Sequence, residues 1–118
     1  MDNFFKAKQT ILDMTSNINF LIKKIKKNKF KNPQISYTSF LIKKGDNFCL
    51  KKLQEEFFEL KKELSSRNKK KIIYETADVI YHLLVLLEKK KINFFNVVKE
   101  LKKRQKISGI QEKKNREK

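Results

Sequence analysis

Pro33, Gly45 and Gly109 are the only proline and glycines in 118 residues. Tight hairpin turns rely on glycine for positive φ and on proline for a preset φ. A chain with three such residues cannot make the many turns of a sheet, so long helices joined by a few breaks remain. The length suits one domain. A chain of this size buries only roughly 65% of its unfolded surface, so the core of a single copy is modest.

Apolar spacing locates the helices. Ile11, Met14, Ile18, Leu21, Ile22 and Ile25 recur at three-and-four intervals, which predicts a first helix over about residues 2–27. Asn32-Pro33 stops it. Gln34 to Lys44 then reads as an irregular connection. Asp46 reads as the N-cap of a second helix, with Leu53, Phe57, Leu60 and Leu64 as its apolar stripe. Residues 65–68 break the pattern. A third helix is predicted from about Lys69 to Lys90, capped by Asn68, and a fourth from near Asn93, carrying Phe94, Val97, Val98 and Leu101. Beyond Lys102 the spacing fades. The expectation is an all-α bundle of about four helices in a single domain over 1–118. Residues 1–11 and 108–118 are expected to be peripheral or partly mobile.

The formal net charge is +17. Such a charge raises the reading of a lysine-rich helical module that binds nucleic acid. Yet Arg67, Arg104 and Arg116 are the only arginines among 30 basic residues, and arginine is the usual choice for bidentate phosphate and base recognition. Lysine, asparagine, isoleucine and phenylalanine all have A/T-rich codons. A coding bias therefore explains the composition without a nucleic-acid surface, and solvated helix faces tolerate lysine at little cost. No apolar run reaches the ~18 residues that span a bilayer, and residues 1–8 do not follow a signal-peptide pattern. Cys49 is the only cysteine. It reads as a small apolar packing residue in a reducing cytoplasm.

The acidic residues are less easily explained. Six of the thirteen, Glu55, Glu56, Glu59, Glu63, Glu75 and Asp78, lie between positions 55 and 78. On the third helix, Ile72, Ile73, Thr76, Ala77, Val79, Ile80, Leu83, Leu84, Leu86 and Leu87 cover well over half the circumference, the pattern of a buried helix. Glu75, Asp78 and His82 fall on one narrow stripe at about 200°, 140° and 180° from Ile73. Carboxylates on a buried helix need a cation or donors. On the second helix, Glu56 and Glu59 border the apolar stripe and Glu55 points further out. Antiparallel packing of the two helices would bring the acidic edges together. Clustered carboxylates repel unless neutralised, and a hard divalent ion, Mg²⁺ or Mn²⁺, suits an all-oxygen donor set. Glu55 and Glu63 taken singly read as solvated helix charges. His82 reads as a structural or supporting residue, and Tyr81 as core.

At these residues the chain resembles a known family. Glu-Glu-x-x-Glu at 55–59, with Glu75-x-x-Asp78 following, is similar to the all-α MazG-type nucleotide pyrophosphohydrolases. Ser36-Tyr37-Thr38, the stretch Lys51 to Glu56, the run Ala77 to Leu87 and the tail Ser108 to Lys113 resemble the phosphoribosyl-ATP pyrophosphohydrolases, over about residues 12–116. Ile35 and Gln54 stand where that family usually has glycine, and Phe57-Phe58 enriches the second helix in phenylalanine.

The resemblance implies Mg²⁺-dependent cleavage of phosphoribosyl-ATP to phosphoribosyl-AMP and pyrophosphate, the second step of histidine biosynthesis. It implies Glu56, Glu59, Glu75 and Asp78 as metal ligands and Glu55 as a catalytic residue, at the metal site or orienting the water. Ser36, Tyr37, Thr38, Lys43 and Lys52 would hold the substrate, with Lys113 and Arg116 reaching phosphates from the tail. Many relatives are fused to a phosphoribosyl-AMP cyclohydrolase. This chain has no room for that domain, so a separate cyclohydrolase is expected to act next. A general nucleoside-triphosphate pyrophosphohydrolase with the same ligands is the nearest alternative. The apolar third helix also predicts a homodimer or larger assembly that completes the bundle.

Overall fold

The computed structural model describes residues 18–105 and 113–116. Helix α1 is described over 18–28, α2 spans Tyr37–Lys44, α3 Asp46–Leu64, α4 Lys69–Lys89 and α5 Phe94–Arg104. A short helical segment follows at 113–116. There is no strand among the described residues, as the all-α expectation requires. The first helix's expected start at residues 2–17 and the tail positions 108–112 lie outside them.

Two expectations about the connection before α3 are corrected. Residues 37–44 are not irregular; they form α2. Ser36 is extended (φ −130°, ψ 115°) and its side chain accepts from the Ser39 amide, which starts the helix. Two turns are too short for an apolar stripe, and Leu41 is the one large apolar side chain α2 buries fully. Asp46 is not the N-cap of α3 either. Gly45 occupies that position at φ 105°, a backbone that favours glycine. Asp46 is the first helical residue, and its carboxylate meets Lys90 at 2.5 Å and Lys89 at 3.4 Å. Asn68 caps α4 as expected, accepting from the Lys71 amide, and Asn93 caps α5, accepting from the Phe95 amide.

The Asp46 contacts show that α3 and α4 run antiparallel, with the start of one beside the end of the other. The core lies at this end of the hairpin. Ile25 of α1, Leu41 of α2, Cys49 of α3 and Leu84 and Val85 of α4 are buried together. The Cys49 thiol donates to the Leu41 carbonyl at 3.0 Å, and burial pushes it up, so it remains a neutral packing group. Lys29 reaches Glu88 at 2.8 Å and fixes the end of α1 against α4. Ser36 and Ser39 donate to the carbonyls of Asn28 and Lys31, which ties α2 to the segment leaving α1.

The other half of the hairpin is different. Phe57, Phe58, Leu64, Ile73 and Tyr74 are all more than half exposed. The expectation that α4 is buried all round therefore holds only toward its C-terminus within one chain. The physical reason is that, among the described residues, the side-chain bonds that α2 and Lys29 make to α4 fall on its C-terminal half, at Tyr81, His82 and Glu88.

Removing the Leu41 side chain leaves a cavity in this small core, so Leu41→Ala should lose about 2–5 kcal/mol of stability, read from the urea midpoint at unchanged slope. Asp46 gives a pH-dependent test. Its side-chain bond to Lys90, opposed by desolvation and joined by Lys89, holds the carboxyl below its ordinary 3.8. A depressed folded pKa contributes stability that is present above the unfolded value and lost as pH falls through the folded one. Asp46→Asn should therefore lower Tm slightly at pH 7, and its gap from the parent should close below pH 3.8; a gap independent of pH would contradict this.

Candidate functional site

Antiparallel pairing sets Glu56 of α3 opposite Glu75 and Asp78 of α4. Glu75 and Asp78 are one turn apart on one face of their helix. One carboxylate oxygen from each of the three residues lies within 4.8 Å of the other two. All three are half-buried. Burial pushes the Glu75 carboxyl up, and the charges of Asp78, Glu56, Glu59 and Glu63 push it the same way. None of Glu56, Glu75 and Asp78 makes an ion pair among the described residues, although the chain carries 30 lysines and arginines. Three hard oxygen donors with unneutralised charge fit a small divalent cation. Metal–oxygen distances of about 2.1 Å require ligand oxygens up to about 4.2 Å apart, within reach of a small side-chain rotation.

Glu59 lies one turn along α3 from Glu56. It is exposed and sits 3.8 Å from Lys62, outside the three-residue group, although its charge acts on Glu75. Glu55 is also exposed and pairs with Lys52 at 3.2 Å.

Tyr37 and His82 form the next layer. His82 is buried, and its Nδ1 lies 2.8 Å from the Asp78 backbone carbonyl. A carbonyl only accepts, so Nδ1 carries the proton there. Nε2 then accepts from the Tyr37 hydroxyl at 3.1 Å. Both ring nitrogens are therefore occupied, in line with a supporting role for His82. Partial desolvation pushes the Tyr37 phenol up; Lys52 opposes this, while Glu56, Tyr81 and Asp78 add to it. The phenol thus stays protonated beside the carboxylates.

The remaining substrate-side candidates are scattered. Ser36 is buried, and its hydroxyl both donates to Asn28 and caps α2. Thr38 bonds the Tyr81 hydroxyl. Tyr81 packs against the core as expected and also stacks on Tyr37 at 6.2 Å. Lys52 lies over the Phe48 ring. Lys43 is exposed near the end of α2, and Lys113 and Arg116 are exposed in segment 113–116. A groove of about 240 Å³ is lined by Asn28, Lys31, Ile35, Ser36, Tyr37, Thr38 and Tyr81. Asn28 and Lys31 were missed from sequence. They carry no local signal and join the groove only because α2 folds back on the end of α1.

Comparison with known proteins agrees with this arrangement. The family model described as phosphoribosyl-ATP pyrophosphohydrolase matches residues 18–105. A phosphoribosyl-ATP pyrophosphatase of Ignicoccus hospitalis is 44% identical over 80 residues, which cover 68% of this chain and 78% of that protein. One of Vesicomyosocius okutanii is 44% identical over 81 residues, covering 69% and 77%. A histidine biosynthesis bifunctional protein of Wolinella succinogenes is 42% identical over 85 residues, covering 72% of this chain but only 37% of the longer protein. The chain thus spans most of the length of the first kind of relative and well under half of the bifunctional kind. On the match over residues 18–105 and these identities, the chain belongs to the phosphoribosyl-ATP pyrophosphohydrolase family.

Proposed function

We propose that this protein hydrolyses phosphoribosyl-ATP to phosphoribosyl-AMP and pyrophosphate, the second step of histidine biosynthesis, in the cytoplasm. The observation that carries this reading is the unpaired carboxylate trio Glu56, Glu75 and Asp78 in a chain rich in lysine. These carboxylates would repel a polyphosphate directly. With Mg²⁺ or Mn²⁺ they would attract it. Glu56, Glu75 and Asp78 would hold the ion, and Glu59 would join by a rotamer change from one turn away. The bound ion would neutralise phosphate charge and lower the pKa of a coordinated water.

The chain's own residues have distinct tasks in this scheme. Water adds across the anhydride between the α and β phosphates, so one P–O bond forms and one breaks. Glu55 would orient that water and accept its proton. Lys52, which Glu55 holds in place, would turn to the phosphates. Tyr37, fixed by His82, would line the substrate path beside Thr38, with Ser36 shaping the turn and Lys43 near its end. Lys113 and Arg116 would approach the phosphates from the tail. The product would pass to a phosphoribosyl-AMP cyclohydrolase. Among the described residues, no helix is long and apolar enough to cross a membrane.

The same reading includes a homodimer or larger assembly. Among the described residues, Phe57, Leu64, Ile73 and Tyr74, on the half of the hairpin that carries the carboxylates, are more than half exposed. A second copy supplies the apolar surface that one chain lacks.

Asp78→Asn and Glu56→Gln should each lower kcat/KM for phosphoribosyl-ATP by about 10²-fold or more, since several kcal/mol of charge stabilisation are removed. A chelator should abolish pyrophosphate release and added Mg²⁺ should restore it. Undiminished turnover in both variants would remove the site assignment, and a strong preference for dCTP or dUTP would move the function to a general nucleotide pyrophosphohydrolase. Light scattering should give at least twice the 14.2 kDa chain mass, reduced by Ile73→Lys; a monomer at working concentration would contradict the assembly.

A further inference from the structure

The groove beside Tyr37 does not end at α2. It shares Asn28 and Lys31 with a second groove of about 330 Å³, lined otherwise by Phe20, Lys23, Lys24 and Lys27. Lys23, Lys24 and Lys27 fall within about 6 Å of axial rise along α1. None of Lys23, Lys24, Lys27 and Lys31 has a carboxylate within 4 Å among the described residues. One residue lining the first groove, Tyr37, also links toward the helix that carries Glu75 and Asp78. It bonds to His82, and through His82 to the backbone of Asp78.

Two phosphate-seeking groups of different kinds thus flank Tyr37 and the grooves beside it. On one side, carboxylates bind phosphate only with a divalent ion. On the other, free ammonium groups bind it directly. Lysine is a point-charge phosphate binder that needs no bidentate geometry. An ordinary nucleoside triphosphate carries phosphate at one end and leaves the lysine groove without a use. Phosphoribosyl-ATP carries a second phosphate, a monoester on the added ribose, at the far end from its triphosphate. Between the two groups, stacked Tyr37 and Tyr81 and the polar Asn28 border the groove that a ribose and a base would cross.

We propose that Lys23, Lys24, Lys27 and Lys31 hold the ribose 5-phosphate of phosphoribosyl-ATP and make the enzyme selective for it over plain nucleoside triphosphates. This rests on the activity proposed above, and it adds a specificity site outside the metal-binding helices.

The test compares phosphoribosyl-ATP with the same compound lacking its ribose 5-phosphate, using the full chain. Lys24→Ala/Lys27→Ala should raise KM for the phosphorylated substrate about tenfold with kcat kept, since charge-assisted contacts to phosphate are lost at an exposed site. Its KM for the dephosphorylated compound should not move, and Lys24→Arg/Lys27→Arg should retain the parental KM. Independently of turnover, ribose 5-phosphate should shift the backbone amide signals of Asn28 and Lys31 in the parent but not in the alanine variant, and ribose should shift neither. Equal KM changes on both substrates, or no change, would overturn the proposal. So would a double variant that loses salt-sensitive binding of duplex DNA while its KM for phosphoribosyl-ATP stays at the parental value, which would make the patch a nucleic-acid surface. If the parent fails to turn over phosphoribosyl-ATP, the activity reading falls, and the amide shifts with ribose 5-phosphate still decide whether the lysine groove binds this ester.

Discussion

The antiparallel register of α3 against α4 imposes two electrostatic situations at once. At the core end it sets Asp46 between Lys89 and Lys90, where opposite charges attract. Further along it sets Glu56 against Glu75 and Asp78, where like charges repel. There the Glu75 carboxyl is pushed up, first by desolvation and then by the charges of Asp78, Glu56, Glu59 and Glu63. The register is nevertheless held by burial of Cys49, Leu84 and Val85 and by the Asp46 clamp. A cluster that has no lysine partner among the described residues has its charge arranged for something other than the fold.

Helix α2 is short, but it connects the other parts. Ser36 starts it, Ser39 and Ser36 anchor it to the end of α1, and Leu41 anchors it in the core. That leaves Tyr37 and Thr38 facing α4, where they meet His82 and Tyr81. The orientation of Tyr37 and Thr38 is therefore set by hydrogen bonds to backbone carbonyls rather than by an extensive apolar interface. The same bonds place Asn28 and Lys31 in the groove beside Tyr37, where they also border the groove of the α1 lysines.

The charge of the chain acquires a different meaning at each position. Some lysines pair with carboxylates and fix helix ends, as Lys29 does with Glu88. Others lie over phenylalanine rings, as Lys44 does on Phe40 and Phe48. A few remain unpaired around a groove. Net charge alone could not separate these roles, because it sums residues whose surroundings differ.

Much of the architecture was legible in the residues themselves. The scarcity of glycine and proline excluded a turn-rich sheet, and Asn68 and Asn93 marked two helix starts because capping is a local interaction. Glu75 and Asp78 were legible as neighbours because helical periodicity alone puts them on one face. Matters that depend on contacts between elements were not legible. Whether Glu56 or Glu59 stands opposite Glu75 depends on helix register, which a wheel does not contain. The cap of α3 moved to Gly45 because Asp46 is drawn to lysines more than forty residues away. Helix α2 was hidden because its stabilising bonds run to Asn28 and Lys31 on another segment. Sequence by itself determined which helices form and which carboxylates could share a site. Only the tertiary structure decided which oxygens come within reach of one ion and where the chain leaves apolar surface uncovered, because both depend on packing between distant segments.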